Sequence, residues 1–202
     1  MTRLSASEFL FGVLAIGYFA IAQPVPAVAQ SIEETAAVCA GCHGDKGVPI
    51  DKTIPNIWGQ NRLYLLNQLH DFKVGHRTNE QMAPIVESLS KTDIEALATY
   101  FSKKPWPDLQ QPAASDDVKA KARSVLDPLN CRGCHQEHYQ GDTARPRLAG
   151  QQDEYLVKTM TDFHKGDRKT YIGMVALMKS IDETDIKALG AYLAGLKIPG
   201  HP

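Results

Sequence analysis

Two five-residue motifs constrain this chain more than anything else in it. Cys39-Ala40-Gly41-Cys42-His43 and Cys131-Arg132-Gly133-Cys134-His135 both read C-x-x-C-H, and together they use all 4 cysteines of the 202 residues. The pattern is that of covalent c-type haem attachment. Two thiols separated by two residues reach two vinyl groups on one edge of a flat macrocycle, and the adjoining histidine then lies under the iron as an axial imidazole. A lone C-x-x-C also suits a disulfide, a redox centre or half of a zinc site. Two copies, each followed by histidine, in a chain with no other cysteine, favour two haem c groups and leave no thiol for other work.

The first 29 residues read as a secretory signal. Arg3 supplies the positive start, Phe9 to Ala22 an apolar run of 14 residues, and Ala27-Val28-Ala29 a small-x-small cleavage site before Gln30. The run is short for a spanning helix, which needs about 20 residues; the alternative is an uncleaved membrane anchor. Export fits the cysteines, because c-type haem is attached outside the bacterial cytoplasm, so the periplasm is the expected location. The formal net charge is −1, and no basic stripe marks a nucleic-acid partner. Docking to other proteins, or a peripheral membrane association, would rest on local patches.

The chain also repeats itself. Cys39 and Cys131 are 92 residues apart, and the stretch from Pro55 to Arg77 aligns with Pro146 to Arg168 at an offset of 91. Identities there include Pro55/Pro146, Gly59/Gly150, Gln60/Gln151, Tyr64/Tyr155, Phe72/Phe163 and Arg77/Arg168. The offset returns to 92 at Met82/Met174 and holds to Tyr100/Tyr192. The expected layout is a domain over 30–103, a linker over 104–115 holding Pro105, Pro107 and Pro112, and a second domain over 116–202. Trp106 in the linker is a candidate for packing between the domains, or simply a buried aromatic on a spacer.

Each half reads as helical. The apolar spacing predicts helices over Ile32–Val38, Leu63–Lys73, Val118–Leu126 and Glu154–Lys165. A last helix is predicted after the N-cap candidates Ser90 and Asp182, with the apolar stripes Ile94, Leu97, Phe101 and Ile186, Leu189, Leu193. No strong strand alternation competes, so the fold class is all-α.

The repeat also picks out distal ligands. His43 to Met82 and His135 to Met174 each span 39 residues. A methionine is more often core filler than ligand, but a repeated spacing favours iron ligation by Met82 and Met174, with Met178, one turn on, as the alternative at the second iron. Met160 reads as core. His70, His76, His138, His164 and His201 have no histidine at the matching repeat position, so they read as surface or packing residues.

These motifs and the tandem arrangement resemble the class I cytochromes c, and the whole exported chain is similar to the di-haem cytochrome c4 family. The resemblance implies two class I cytochrome c domains, each wrapped around one haem, with the propionates near the domain interface. It implies that Pro55 and Pro146 offer carbonyls to the proximal imidazoles, and it makes Tyr64, Tyr155, Arg77 and Arg168 candidates for packing around haem or meeting its propionates, the alternative being plain helix packing and surface charge. It also implies electron transfer between a quinol-oxidising complex and a terminal oxidase.

The expected function is therefore a periplasmic carrier of single electrons and not an enzyme. The alternative is the electron-transfer subunit of a dehydrogenase complex. A di-haem enzyme would need an open iron, which paired Met82 and Met174 argue against. The loops after the two motifs differ, Gly44-Asp45-Lys46-Gly47 against Gln136-Glu137-His138-Tyr139-Gln140-Gly141. Different surroundings give different potentials. A potentiometric titration of the purified protein is expected to resolve two one-electron waves; one wave fitting two identical independent sites would contradict this.

Overall fold

Helix termini in this chain are set by short polar signals that flank apolar stripes. The computed structural model describes residues 31–198, so the expected signal, its cleavage site and His201 lie outside the described residues. Among the described residues there are nine helices and no strand: α1 Ile32–His43, α2 Arg62–Lys73, α3 Met82–Glu87, α4 Lys91–Ser102, α5 Asp116–Leu126, α6 Arg132–His135, α7 Asp153–Lys165, α8 Ile172–Lys179 and α9 Glu183–Ala194.

Ser31 starts α1 with a capping box in which Ser31 and Glu34 bond each other's backbone N–H. Ser90 and Asp93 do the same for α4. Asp182 occupies the corresponding position before α9, but its side chain makes no capping bond, so only half of that expected symmetry holds. The predicted stripes are the buried ones: Ile94, Leu97 and Phe101 in α4, and Ile186, Leu189 and Leu193 in α9.

The two halves pack alike. The first and last long helices of each half touch (α1 with α4, α5 with α9), the middle helix lies on the last (α2 with α4, α7 with α9), and a short helix lies on the middle one (α2 with α3, α7 with α8). These principal pairings stay within one half or the other.

The first half buries two small apolar clusters, one around Leu65, Leu97 and Phe101 and one around Phe72, Val86 and Ile94; Leu66, Leu69 and Leu89 pack against both. The second half has one continuous cluster that includes Leu126, Leu156, Met160, Phe163, Met178 and Leu189.

Three features differ from the sequence reading. Helix α1 runs through the first motif to His43 and does not stop at Val38. In the second half α5 ends at Leu126, as predicted, where Pro128 has no N–H to donate and Asn130 turns to a φ of 49°, but the motif then forms a separate short helix, α6, that the sequence reading lacks. Helices α3 and α8, which carry Met82 and Met174, were not expected at all.

Ser90→Ala removes the reciprocal cap of α4 and is expected to lower the unfolding free energy by about 1 kcal/mol in a denaturant titration of the holoprotein. Asp182→Ala, which breaks no side-chain cap, is expected to change it by much less.

Candidate functional site

The C-x-x-C-H motif works on a helix because positions i, i+3 and i+4 share a face. Cys39, Cys42 and His43 end α1. In the second half His135 N–H donates to the Cys131 carbonyl at 2.9 Å, so the same turn is kept although α6 is short. The next residue takes a positive φ in both halves: Gly44 at 85° and Gln136 at 69°. A Cβ on Gly44 would sit 2.0 Å from the Val48 carbonyl oxygen, so glycine is needed in the first half. Gln136 holds this backbone as a non-glycine residue, and its side chain donates to Asp142 Oδ2 at 2.8 Å.

Both motif histidines are buried and oriented in the same way. His43 Nδ1 donates to the Pro55 carbonyl at 2.7 Å, and His135 Nδ1 donates to the Pro146 carbonyl at 3.1 Å. These are the two prolines singled out from the sequence. Burial, the largest effect on each, pushes both imidazoles below the usual histidine range. Each is therefore neutral, with its Nδ1 proton committed and Nε2 left as the electron-pair donor.

The methionines separate into two kinds. Met82 opens α3, where its N–H donates to Asn79 Oδ1, and Met174 lies in the first turn of α8; both are half-buried and pack against the edge of a core cluster. Met178 is buried inside the cluster, and its carbonyl accepts from His164 Nδ1 at 2.9 Å. Met160 is core, as expected. His70, His76 and His138 are exposed.

Haem c fits these donors. All four thiols are outside disulfides. Ile50 N–H donates to the Cys42 carbonyl at 3.0 Å, and the Ile50 side chain is exposed. Buried polar atoms without a protein partner include Trp58 Nε1, Thr170 Oγ1 and Arg168 Nε, all of which can donate to a carboxylate. The other readings of C-x-x-C fit less well. Burial pushes the Cys39 and Cys131 thiols up, opposite to the lowered thiol of a redox pair. Among the described residues no three His, Cys, Asp or Glu side chains converge on a common metal position.

The halves meet through loops. Gln60 and Gln151 each reach across and bond the backbone of the other half. Trp106 is buried between the repeat-mate glycines: a Cβ on Gly59 would lie 2.9 Å from Trp106 N, and one on Gly150 would lie 3.3 Å from Trp106 Nε1. The Arg147 guanidinium stacks on its ring. The linker tryptophan therefore packs between the halves. The loop after His135 also crosses over: Thr143 and Arg145 carbonyls accept from Tyr64 N–H and Asn61 Nδ2 at the start of α2.

Arg77 and Arg168 converge there too. Both donate to Gln68 Oε1, at 2.7 and 2.6 Å, and Arg77 also reaches the Tyr155 hydroxyl at 3.3 Å. Each stacks on the phenylalanine of its own repeat, Phe72 or Phe163. Burial raises Tyr155, but the two guanidiniums outweigh it and bring the phenol down to about 7. Burial first, and then Tyr155, push Tyr64 up to about 12. Two cations thus share one neutral acceptor, an arrangement suited to anionic groups.

Comparison with known proteins gives the family. A family model described as Cytochrome c matches residues 119–197. A cytochrome c4 of Azotobacter vinelandii is 33% identical over 180 residues, covering 80% of this chain and 85% of that protein. The chain belongs to the cytochrome c4 family. A crystal structure of reduced cytochrome c4 from Pseudomonas stutzeri superposes with a TM-score of 0.73 at 29% identity, covering 84% of this chain and all of that one. A thiosulfate dehydrogenase electron acceptor of Stutzerimonas stutzeri is 30% identical over 174 residues, covering 80% of each. As a cytochrome c4, the protein is a tandem class I cytochrome c that carries two haem c groups and transfers electrons to and from redox partners; it is a carrier and not an enzyme.

A non-glycine residue at the φ and ψ of Gln136, 69° and 168°, stores strain of about 1–3 kcal/mol. Gln136→Gly is expected to raise the unfolding free energy of the holoprotein by about 1 kcal/mol after loss of the Asp142 bond; an unchanged or lower value would mean that this bond outweighs the strain.

Proposed function

We propose that this cytochrome c4 carries single electrons in the periplasm, with His43 and Met82 as the ligands of one iron and His135 and Met174 as those of the other. Cys39, Cys42, Cys131 and Cys134 are the thioether attachments. The working units are residues 30–103 and 116–202, joined by 104–115. The matched imidazole–proline hydrogen bonds carry this reading: two neutral, buried histidines 92 residues apart are held with the same nitrogen free. The half-buried positions of Met82 and Met174, against the fully packed Met178, support the distal assignment.

Bound haem iron supplies a centre that alternates between Fe(II) and Fe(III). The chain does the rest. Pro55 and Pro146 fix the rings and raise their basicity as ligands. Met82 and Met174 would supply thioether ligands, which favour the reduced state. Arg77, Arg168 and the tyrosine pair between the halves suit the propionates. By its family the carrier links a membrane quinol-oxidising complex to a terminal oxidase. Among the described residues no helix is long and apolar enough to cross a membrane.

The likeness to a thiosulfate dehydrogenase electron acceptor favours a second reading, in which the electron donor is a dehydrogenase bound to this chain. Co-purification with a larger catalytic subunit distinguishes that reading from a free carrier.

Met82→Ala and Met174→Ala are each expected to abolish the thioether-to-iron absorption band of one haem in the oxidised protein. Met178→Ala is expected to keep both bands while lowering stability by about 2–5 kcal/mol. If Met178→Ala removes a band that Met174→Ala leaves intact, the second assignment is wrong.

A further inference from the structure

The two halves exchange hydrogen bonds at one kind of peptide group. Gln151 Oε1 accepts from Asn56 N–H at 2.8 Å, and Gln151 Nε2 donates to the Asn56 carbonyl at 2.9 Å. In the opposite direction Gln60 Oε1 accepts from Arg147 N–H at 2.8 Å, and Gln60 Nε2 donates to the Arg147 carbonyl at 3.0 Å. All four residues are buried. Each amide faces one backbone donor and one backbone acceptor, so its orientation is fixed by what it must satisfy. Each Oε1 also accepts the N–H of the next residue in its own chain, Asn61 or Gln152, at 2.9 Å, which holds the side chain ready.

Asn56 follows Pro55, and Arg147 follows Pro146. The N–H that each glutamine grips therefore belongs to the same peptide unit as the carbonyl that accepts from the motif histidine. The series runs from Gln151 Oε1 to Asn56 N–H, through the peptide to the Pro55 carbonyl, and on to His43 Nδ1. Its mate runs from Gln60 through Arg147 N–H and the Pro146 carbonyl to His135 Nδ1. An acceptor on the N–H of a peptide polarises its carbonyl, and hydrogen bonds in series strengthen one another in a buried site. A stronger acceptor at Nδ1 makes the imidazole a better donor at Nε2.

We propose that Gln60 and Gln151 are crossed positioning residues: each sets the basicity of the proximal histidine in the other half, through one shared peptide group. The consequence is that the haem potential in each half depends on its neighbour being docked. A more basic imidazole stabilises Fe(III), so the intact contact lowers both potentials and separation of the halves raises them. The inference rests on the reading of His43 and His135 as axial ligands.

The test uses the holoprotein with Gln151→Met, Gln60→Met and Gln151→Glu. Met has a similar length and cannot accept the peptide N–H in the same way; a buried, protonated Glu presents the same acceptor and donor as Gln. The His43 and His135 Nδ1 protons are followed by NMR in the reduced, diamagnetic protein. The potential of each haem is followed through resonances assigned by their contacts to residues of one half.

Gln151→Met is expected to move the His43 proton upfield and raise the potential of the first haem, leaving His135 and the second haem in place. Gln60→Met is expected to do the reverse, and Gln151→Glu to restore the wild-type position of His43. A variant that moves the histidine of its own half, moves both together or moves neither overturns the relay. So does a folded Gln151→Glu protein with a displaced His43 proton, which keeps the test decisive if the Met variants do not fold. If the wild-type protein lacks imidazole–thioether signatures in optical and EPR spectra, the ligand reading itself has failed. With those signatures intact, an unmoved proton counts against the relay alone.

Discussion

The hydrogen bond from a buried imidazole to a proline carbonyl is the constraint on which the rest of this protein depends. A histidine at the end of α1 or in α6 can rotate about two bonds, and only one orientation puts Nε2 where an iron attached through the neighbouring thiols needs it. The Pro55 and Pro146 carbonyls select that orientation and the neutral tautomer together. Proline suits the position because it fixes its own φ and asks for no N–H partner in a crowded loop. The loop in turn is held from outside: Gly59 N–H donates to the Phe101 carbonyl at 2.9 Å and Gly150 N–H to the Leu193 carbonyl at 3.0 Å, which ties it to the last helix of its own half. Position is thus passed from the best-packed helices, α4 and α9, to the imidazoles.

The contact between the halves is polar where a domain interior would be apolar. Buried amides and guanidiniums are costly unless satisfied; Gln60 and Gln151 make all their bonds to backbone groups, while Arg77 and Arg168 stack on Phe72 and Phe163 and share Gln68, with Arg168 Nε left without a protein partner. Such a contact contributes less to stability than an apolar one of equal area, but it fixes register. Each glutamine matches one peptide group, and each arginine stacks on one ring. Two carriers that exchange electrons need a constant separation and orientation more than they need a large binding energy.

Much of this was legible in the sequence because it was written twice. Long helices showed through their stripes and caps, so α2, α4, α5, α7 and α9 begin within two residues of the positions read from the chain. Met82 and Met174, the proposed distal ligands, stand out only through their equal spacing, since α3 and α8 are too short for a periodic signal. The extent of α1 was hidden because Cys-Ala-Gly-Cys-His has no apolar period. Gln60 and Gln151 stood among the repeat identities, yet nothing local told of their role. Their partners lie 87 and 95 residues away, and they bond to backbone, which has no sequence signature. A polar identity kept in both halves without a local cap, charge pair or turn to explain it is the signal that would have found them.

Repetition also shows where the halves part company. A perfect two-fold would make the two imidazoles equivalent and give electrons no preferred order. The loop after His135 breaks that symmetry: it is one residue shorter, holds Gln136 in a backbone conformation that the first half gives to Gly44, and lays Thr143 and Arg145 against the start of α2. Among the described residues no backbone carbonyl of the first half accepts a hydrogen bond from the start of α7, whose cap residue Gln152 instead accepts from Gln111 of the linker. The bond to proline differs as well, 2.7 Å at His43 against 3.1 Å at His135. The asymmetry of one loop laid on an otherwise repeated frame therefore gives the two imidazoles unequal surroundings.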